Sequence, residues 1–373
     1  MEFPDAALES WMRDFYFESE VDIGSSGVAE YSLRELRELT GFDLAVLDDT
    51  VFRDSPCAGR QDLRAAIANR WGNGDAEWVV TTHGASEAIY VTMMTLLEPG
   101  DHVVALQPTY HTHTSIARSL GCEVSPWVLR PERGFVPDVA DFAAAVRSGT
   151  KAVVLNFPHN PTGATLTGEQ LREVVEITAA VGSHLVWDAA FAELVYDRPV
   201  LPDPVRTYPR TVSIGTFSKA FGLPGMRFGW ALAAPDLITR MTGLRDRITL
   251  SLSPLLETLA CHVVEHADRA ISGRLRAAAA NRDLLIRWAR DHAEFVDLPV
   301  PHGGVTAFPA LSGYADTREL CRRLGRDHRV LLVPGVAFDH SDRVRLGFGG
   351  PSGDFARGLD VLSSELKNEY EVE

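Results

Sequence analysis

Lys219 stands out first. It sits in 216-TFSKAFGLPGMRFGW-230, directly after an apolar run and ahead of a Gly-Leu-Pro-Gly turn. Such a position favours an uncharged amine, the form that attacks a carbonyl carbon or removes a proton. Asp188 is the second candidate. It ends the apolar stretch 184-HLVWD-188, where an unpaired carboxylate would be costly. Gly84-Ala85-Ser86 follows the apolar run 78-WVVTT-82 and opens a helical stretch. Backbone amides at a helix start attract an anion such as a phosphate, and a fixed cation completes the cradle.

These residues need a scaffold that brings distant turns together. The runs 78-WVVTT-82, 102-HVVALQ-107, 151-KAVVLNF-157, 184-HLVWDA-189, 211-TVSIGTFS-218 and 228-FGWALAA-234 are rich in valine and lack strict polar alternation. That pattern predicts strands buried on both faces of a mostly parallel sheet. Helices are predicted between them, as at 85–97 and 168–181. The chemistry-bearing turns 82-THGASEA-88, 107-QPTYHTH-113, 156-NFPHNPTGA-164, 187-WDAAF-191 and 216–230 each follow one of these strands. Open α/β sheets bind ligands at the carboxyl ends of their strands, so one composite site is expected there. The expected organisation is an N-terminal segment, 1–45, packing with a small α+β domain, 276–373, and a large α/β domain, 46–275. The helix 273–292 opens the small domain.

Taken in this order, Ser218-Lys219, Gly225-Met226-Arg227, Gly229-Trp230 and 160-NPTG-163 resemble the motifs of fold-type-I pyridoxal 5'-phosphate (PLP) enzymes of the class I/II aminotransferase family, from about residue 22 to 350. The resemblance implies that Lys219 forms an imine with the PLP aldehyde and serves as the catalytic base. It implies that Asp188 keeps the ring nitrogen protonated and that Asn160 bonds the ring's phenolic oxygen. Ala85, Ser86, Thr216 and Arg227 would hold the phosphate, and Tyr110 would stack on the ring. Arg345, in 343-RVRLGFG-349, would fork onto the substrate α-carboxylate. A homodimer is implied as well.

Two positions depart from the family pattern. Phe191 stands where a tyrosine normally donates to the phenolic oxygen, and phenylalanine has no donor. Asp54, five residues before Gly59 of 59-GRQDLR-64, replaces a tyrosine that reaches the partner's phosphate. The polar loop 22-DIGSSGV-28 and 52-FRDSP-56 are similar to the capreomycidine synthase and streptothricin-pathway cyclase group within the family. That similarity implies a cyclase acting on a hydroxylated L-arginine, a guanidino amino acid. Base-promoted loss of the 3-hydroxyl would be followed by closure of the guanidine onto Cβ. Ser25 and Ser26 would contact the substrate. His83, His111 and His159 are candidates for the acid that releases hydroxide, and Asp22, Glu30 and Asp54 for the partner of the guanidinium. The alternative is a 2-oxo acid aminotransferase.

Other readings are disfavoured. The net charge of −15 argues against nucleic-acid binding, and a DNA-reading domain would have to precede the motifs, which begin near residue 22. No apolar run has the length of a membrane span. The acidic, amphipathic start lacks the features of a signal peptide, and a cytoplasmic enzyme is expected. Cys57, Cys122, Cys261 and Cys321 are widely spaced, which suits reduced thiols. His111 and His113 lack further ligands at a helical spacing, so no metal site is expected.

Overall fold

The computed structural model describes residues 5–371. Its centre is a seven-stranded sheet. The strands are β1 (Val79–Thr82), β2 (His102–Gln107), β3 (Glu123–Val128), β4 (Thr150–Asn156), β5 (His184–Asp188), β6 (Thr211–Thr216) and β7 (Gly229–Leu232). Their spatial order is β1-β7-β6-β5-β4-β2-β3. Only β7 runs against its neighbours. The other pairings along β6-β5-β4-β2-β3 are parallel.

The lack of polar alternation now has its cause. Val103 and Ala105 of β2 join one core with Val154, Val186 and Ile214. Their neighbours Val104 and Leu106 join a second core with Leu155, Leu185 and Trp187 on the opposite face. Each fully buried valine, leucine or isoleucine among them contributes about 1.5–3 kcal/mol. Helix α2 (Gly84–Leu96) covers one face and the helix Gly168–Ala180 covers the other. The edge strand β3 is the one large-sheet strand that the periodicity does not reveal. Its sequence EVSPWV is mostly open to solvent and carries Pro126, a residue that a sheet tolerates at its edge.

Helix α1 (Ala7–Phe15) and the segment after it lie against the C-terminal part of the chain. Trp11 donates its indole N–H to Leu332 O at 2.9 Å. Val21 and Asp22 pair in parallel with Val330 and Leu331. The long helix Ala267–Asp291 passes unbroken through residue 275. The strands of this part are short. Thr306–Ala307 and Val333–Pro334 flank Val344–Gly347. Gly347 N donates to Ile23 O at 2.8 Å. A Cβ at Gly347 would lie 1.9 Å from Ser25 O, so the loop 22–26 can only lie here because residue 347 is glycine. Gly347→Ala is therefore expected to cost about 1–3 kcal/mol, read as a lower urea midpoint.

Candidate active site

The five turns do meet at one end of the sheet. The first supplies the start of α2. Gly84 has φ +78°, a conformation that favours glycine, and a Cβ there would lie 2.9 Å from Arg227 Nη2. The guanidinium therefore rests against the helix start that carries Ala85 and Ser86. Arg227 itself is left-handed, with φ 49°, and donates from Nη1 to Pro224 O at 3.1 Å. Gly229 completes the close approach, since a Cβ there would lie 2.5 Å from Gly84 C and 2.7 Å from Ala85 N. Amides at a helix start with a guanidinium beside them suit a phosphate. Thr216 borders this cradle, with its hydroxyl 3.0 Å from Phe228 O and 3.1 Å from Ser218 Oγ.

Asp188 is buried at the end of β5. One carboxylate oxygen accepts from Ala190 N at 3.0 Å. The other lies 2.9 Å from His113 Nε2. With Nε2–H donating to Asp188, His113 Nδ1 is left to accept from the Thr109 hydroxyl at 3.0 Å. The sequence reading weighed His113 only as a metal ligand and missed this role. The two residues stand 75 positions apart, and only the adjacency of two strand ends, through β4, brings them together. Asn156 ties the same region. It donates to Asp188 O at 3.0 Å and accepts from Asn160 N at 3.0 Å.

Lys219 Nζ donates to Ser26 Oγ at 2.9 Å and faces the Phe191 ring at 5.9 Å. Its surroundings hold its pKa down to about 8. Burial is the main cause and the positive charge of Arg345 adds to it, while Glu9 and Asp188 oppose the shift. Arg345 is fully enclosed, and burial pushes its pKa down to about 10. It donates to Gly24 O from Nε at 3.1 Å and from Nη2 at 2.9 Å, and Nη1 lies 3.5 Å from Asn160 Oδ1. Among the described residues no carboxylate pairs with it, so it is set to receive an anion. Tyr110 is half-buried; its hydroxyl donates to Glu9 Oε1 at 3.1 Å.

The loop residues divide. Ser26 is buried on Lys219. Ser25 is held through its backbone, its N donating to Asp22 Oδ1 at 2.8 Å, and Gly24 N donates to the same oxygen at 2.9 Å. Asp22 is thus occupied in shaping the loop, while Glu30 and Asp54 are exposed. Among the histidines, His159 does not suit an acid. Both ring nitrogens are bonded, to Thr162 Oγ1 at 2.8 Å and Pro108 O at 2.9 Å, and burial pushes its pKa down to about 3. His83 is engaged with Glu87 at 3.2 Å. His111 packs its ring edgewise on Tyr110, and burial lowers its pKa.

A desolvated lysine, a buried carboxylate and an anion cradle match a cofactor with an aldehyde, a basic ring nitrogen and a phosphate. The fold and site define a PLP-dependent enzyme of fold type I. The chain belongs to the aminotransferase class I and II family, whose model matches residues 33–362. It is 45% identical over 365 residues to capreomycidine synthase of Streptomyces vinaceus, covering 97% of this chain and 94% of that one. The crystal structure of PLP-dependent cyclase OrfR superposes with a TM-score of 0.94 at 44% identity, over 99% of this chain and 98% of the other. A PLP-dependent aminotransferase from Streptococcus suis superposes with a TM-score of 0.93 at 27% identity, over 99% of both chains.

Two outcomes are expected. The rate at which the apoenzyme captures PLP should rise with pH around a midpoint near 8, because the amine reacts when unprotonated. A midpoint near 10.4, that of a solvated lysine, would contradict the environment described. His113→Phe leaves one oxygen of the buried Asp188 without its donor, the other still bonded to Ala190 N. The lost hydrogen bond is worth ~1–3 kcal/mol, so PLP retention in equilibrium dialysis should weaken by about tenfold.

Proposed function

We propose that this enzyme is a PLP-dependent cyclase that takes a 3-hydroxylated L-arginine, expels the 3-hydroxyl and joins a guanidine nitrogen to Cβ. The observation that carries this reading is the likeness to capreomycidine synthase and to a PLP-dependent cyclase at 44–45% identity over nearly the whole chain, against 27% for an aminotransferase of nearly the same fold. Phe191 and Asp54, in place of two tyrosines, point the same way.

When bound, PLP supplies the electron sink that allows a proton to leave the substrate Cα. The chain's own residues do the rest. The cradle of Ala85, Ser86, Thr216 and Arg227 would hold the phosphate, and Tyr110 would cover the ring. Asp188, fixed by His113, keeps a positive ring nitrogen favourable. Asn160 would bond the phenolic oxygen, with no donor from Phe191 to help it. Arg345 forks onto the α-carboxylate, aided by its rigid geometry, and so aims the Cα–H bond. Lys219, a neutral amine at a pH near its lowered pKa of about 8, takes the Cα proton. The resulting ammonium is held by Ser26, and this pair returns the proton to the departing 3-hydroxyl as the Cβ–O bond breaks. A guanidine nitrogen of the same molecule then bonds Cβ, losing its proton as Cα regains one. One water leaves and the amino group stays. Tethering makes the closure unimolecular, an advantage of up to ~7–11 kcal/mol when aligned.

The working form is proposed to be a homodimer, since the segment with Asp54 also exposes Val46, Val51 and Phe52. No described helix is long and apolar enough to cross a membrane. The four free cysteines suit a reducing, cytoplasmic setting.

Incubation of the holoenzyme with 3-hydroxy-L-arginine, without any oxo acid, tests the reaction. Mass spectrometry should find a product lighter by one water with its amino group retained. Conversion to an oxo acid, with accumulation of the pyridoxamine form, would assign transamination instead.

A further inference from the structure

The guanidinium of the proposed substrate needs a carboxylate, and the three acids singled out from sequence do not offer one. Asp22 is committed to the amides of Gly24 and Ser25, and Glu30 and Asp54 are exposed. Asp188 is committed to His113 and Ala190 N. A further acid lies in the cleft. Glu9 sits on α1, whose Leu8 is buried in the apolar core and whose Trp11 packs against it. That packing turns the half-buried Glu9 toward the cleft, where Oε1 accepts the Tyr110 hydroxyl at 3.1 Å. Its negative charge acts on both Lys219 and Arg345, which places it among the groups that handle the substrate. Among the described residues Glu9 makes no ion pair, so its carboxylate is open to a cation. Tyr110 supports it from below, and a guanidinium bonds a carboxylate with two parallel N–H groups.

We propose that Glu9 selects the substrate by accepting its guanidinium, while Arg345 holds the α-carboxylate. The inference rests on the reading of the substrate as a guanidino amino acid. Helix α1 then has a chemical task besides packing. The cation sits beside Tyr110, and the same contact holds the guanidine near the carbon it must reach.

The test uses reconstituted holoenzyme and two ligands without a 3-hydroxyl, L-arginine and its uncharged analogue L-citrulline. Binding is read from the change in cofactor absorbance on titration. The unaltered enzyme should prefer arginine by about tenfold or more. Glu9→Gln keeps the shape and the Tyr110 contact but removes the charge. It should lose about tenfold or more for arginine while citrulline binding stays within about twofold, and Glu9→Asp should fall between. Retention of the full arginine preference by Glu9→Gln would overturn the role of Glu9 and leave the substrate class intact. Equal loss of both ligands would also overturn it, as that marks a packing role. An unaltered enzyme with no preference for arginine would overturn the guanidino substrate itself, and this inference with it.

Discussion

The constraint on which the site depends is the gathering of positive charge in a cleft that water reaches poorly. Lys219 and Arg345 converge there, while the guanidinium of Arg227 stands exposed at the helix start beside Gly84. Burying such charges is costly unless anions or dipoles answer them. The chain answers only in part, with Gly24 O on Arg345 and the more distant charges of Asp188 and Glu9. The remaining demand suits a ligand pair with a phosphate at one end and a carboxylate at the other. Burial is the main cause of the lowered Lys219 pKa, and the positive charge of Arg345 adds to it, so the same enclosure that calls for anions also sharpens the base.

Much of the rest serves to hold this arrangement still. Gly84 and Gly229 allow the helix start and β7 to approach closely enough to fix Arg227. Asn156 links Asp188 to Asn160. Both departures from the family pattern leave this frame intact. Phe191 fills a buried place beside Lys219 with a ring instead of a phenol.

The legible part of the fold was the part with a strong period. Strands such as 102–107 and 184–188 bury both faces, and their valine runs announce it. The edge strand Glu123–Val128 buries little, so it left no such trace. Strands of two residues, such as Thr306–Ala307, are set by tertiary pairing and have no period to read. In the site, residues inside family motifs were legible by order and spacing. His113 was not, because its meaning lies in one hydrogen bond to a residue far along the chain. Glu9 was not, because an acid on an amphipathic helix reads as solvated until the helix is seen to lean on a cleft. His159 misled in the opposite way. Its place in a loaded turn suggested acid chemistry, yet both nitrogens are spent on the turn itself.

The loop that Gly347 admits has a wider consequence. It carries Gly24 and Ser26, which touch Arg345 and Lys219, and it is stitched to the C-terminal strands at Ile23 and Val21. Lys219 and the loop that touches it thus belong to different stretches of chain. A lineage could trade one set of chain ends for another and inherit the cofactor chemistry unchanged. Divergence between amino-group transfer and ring closure then requires little rewriting of the sheet, which agrees with folds that superpose almost fully at 27% identity.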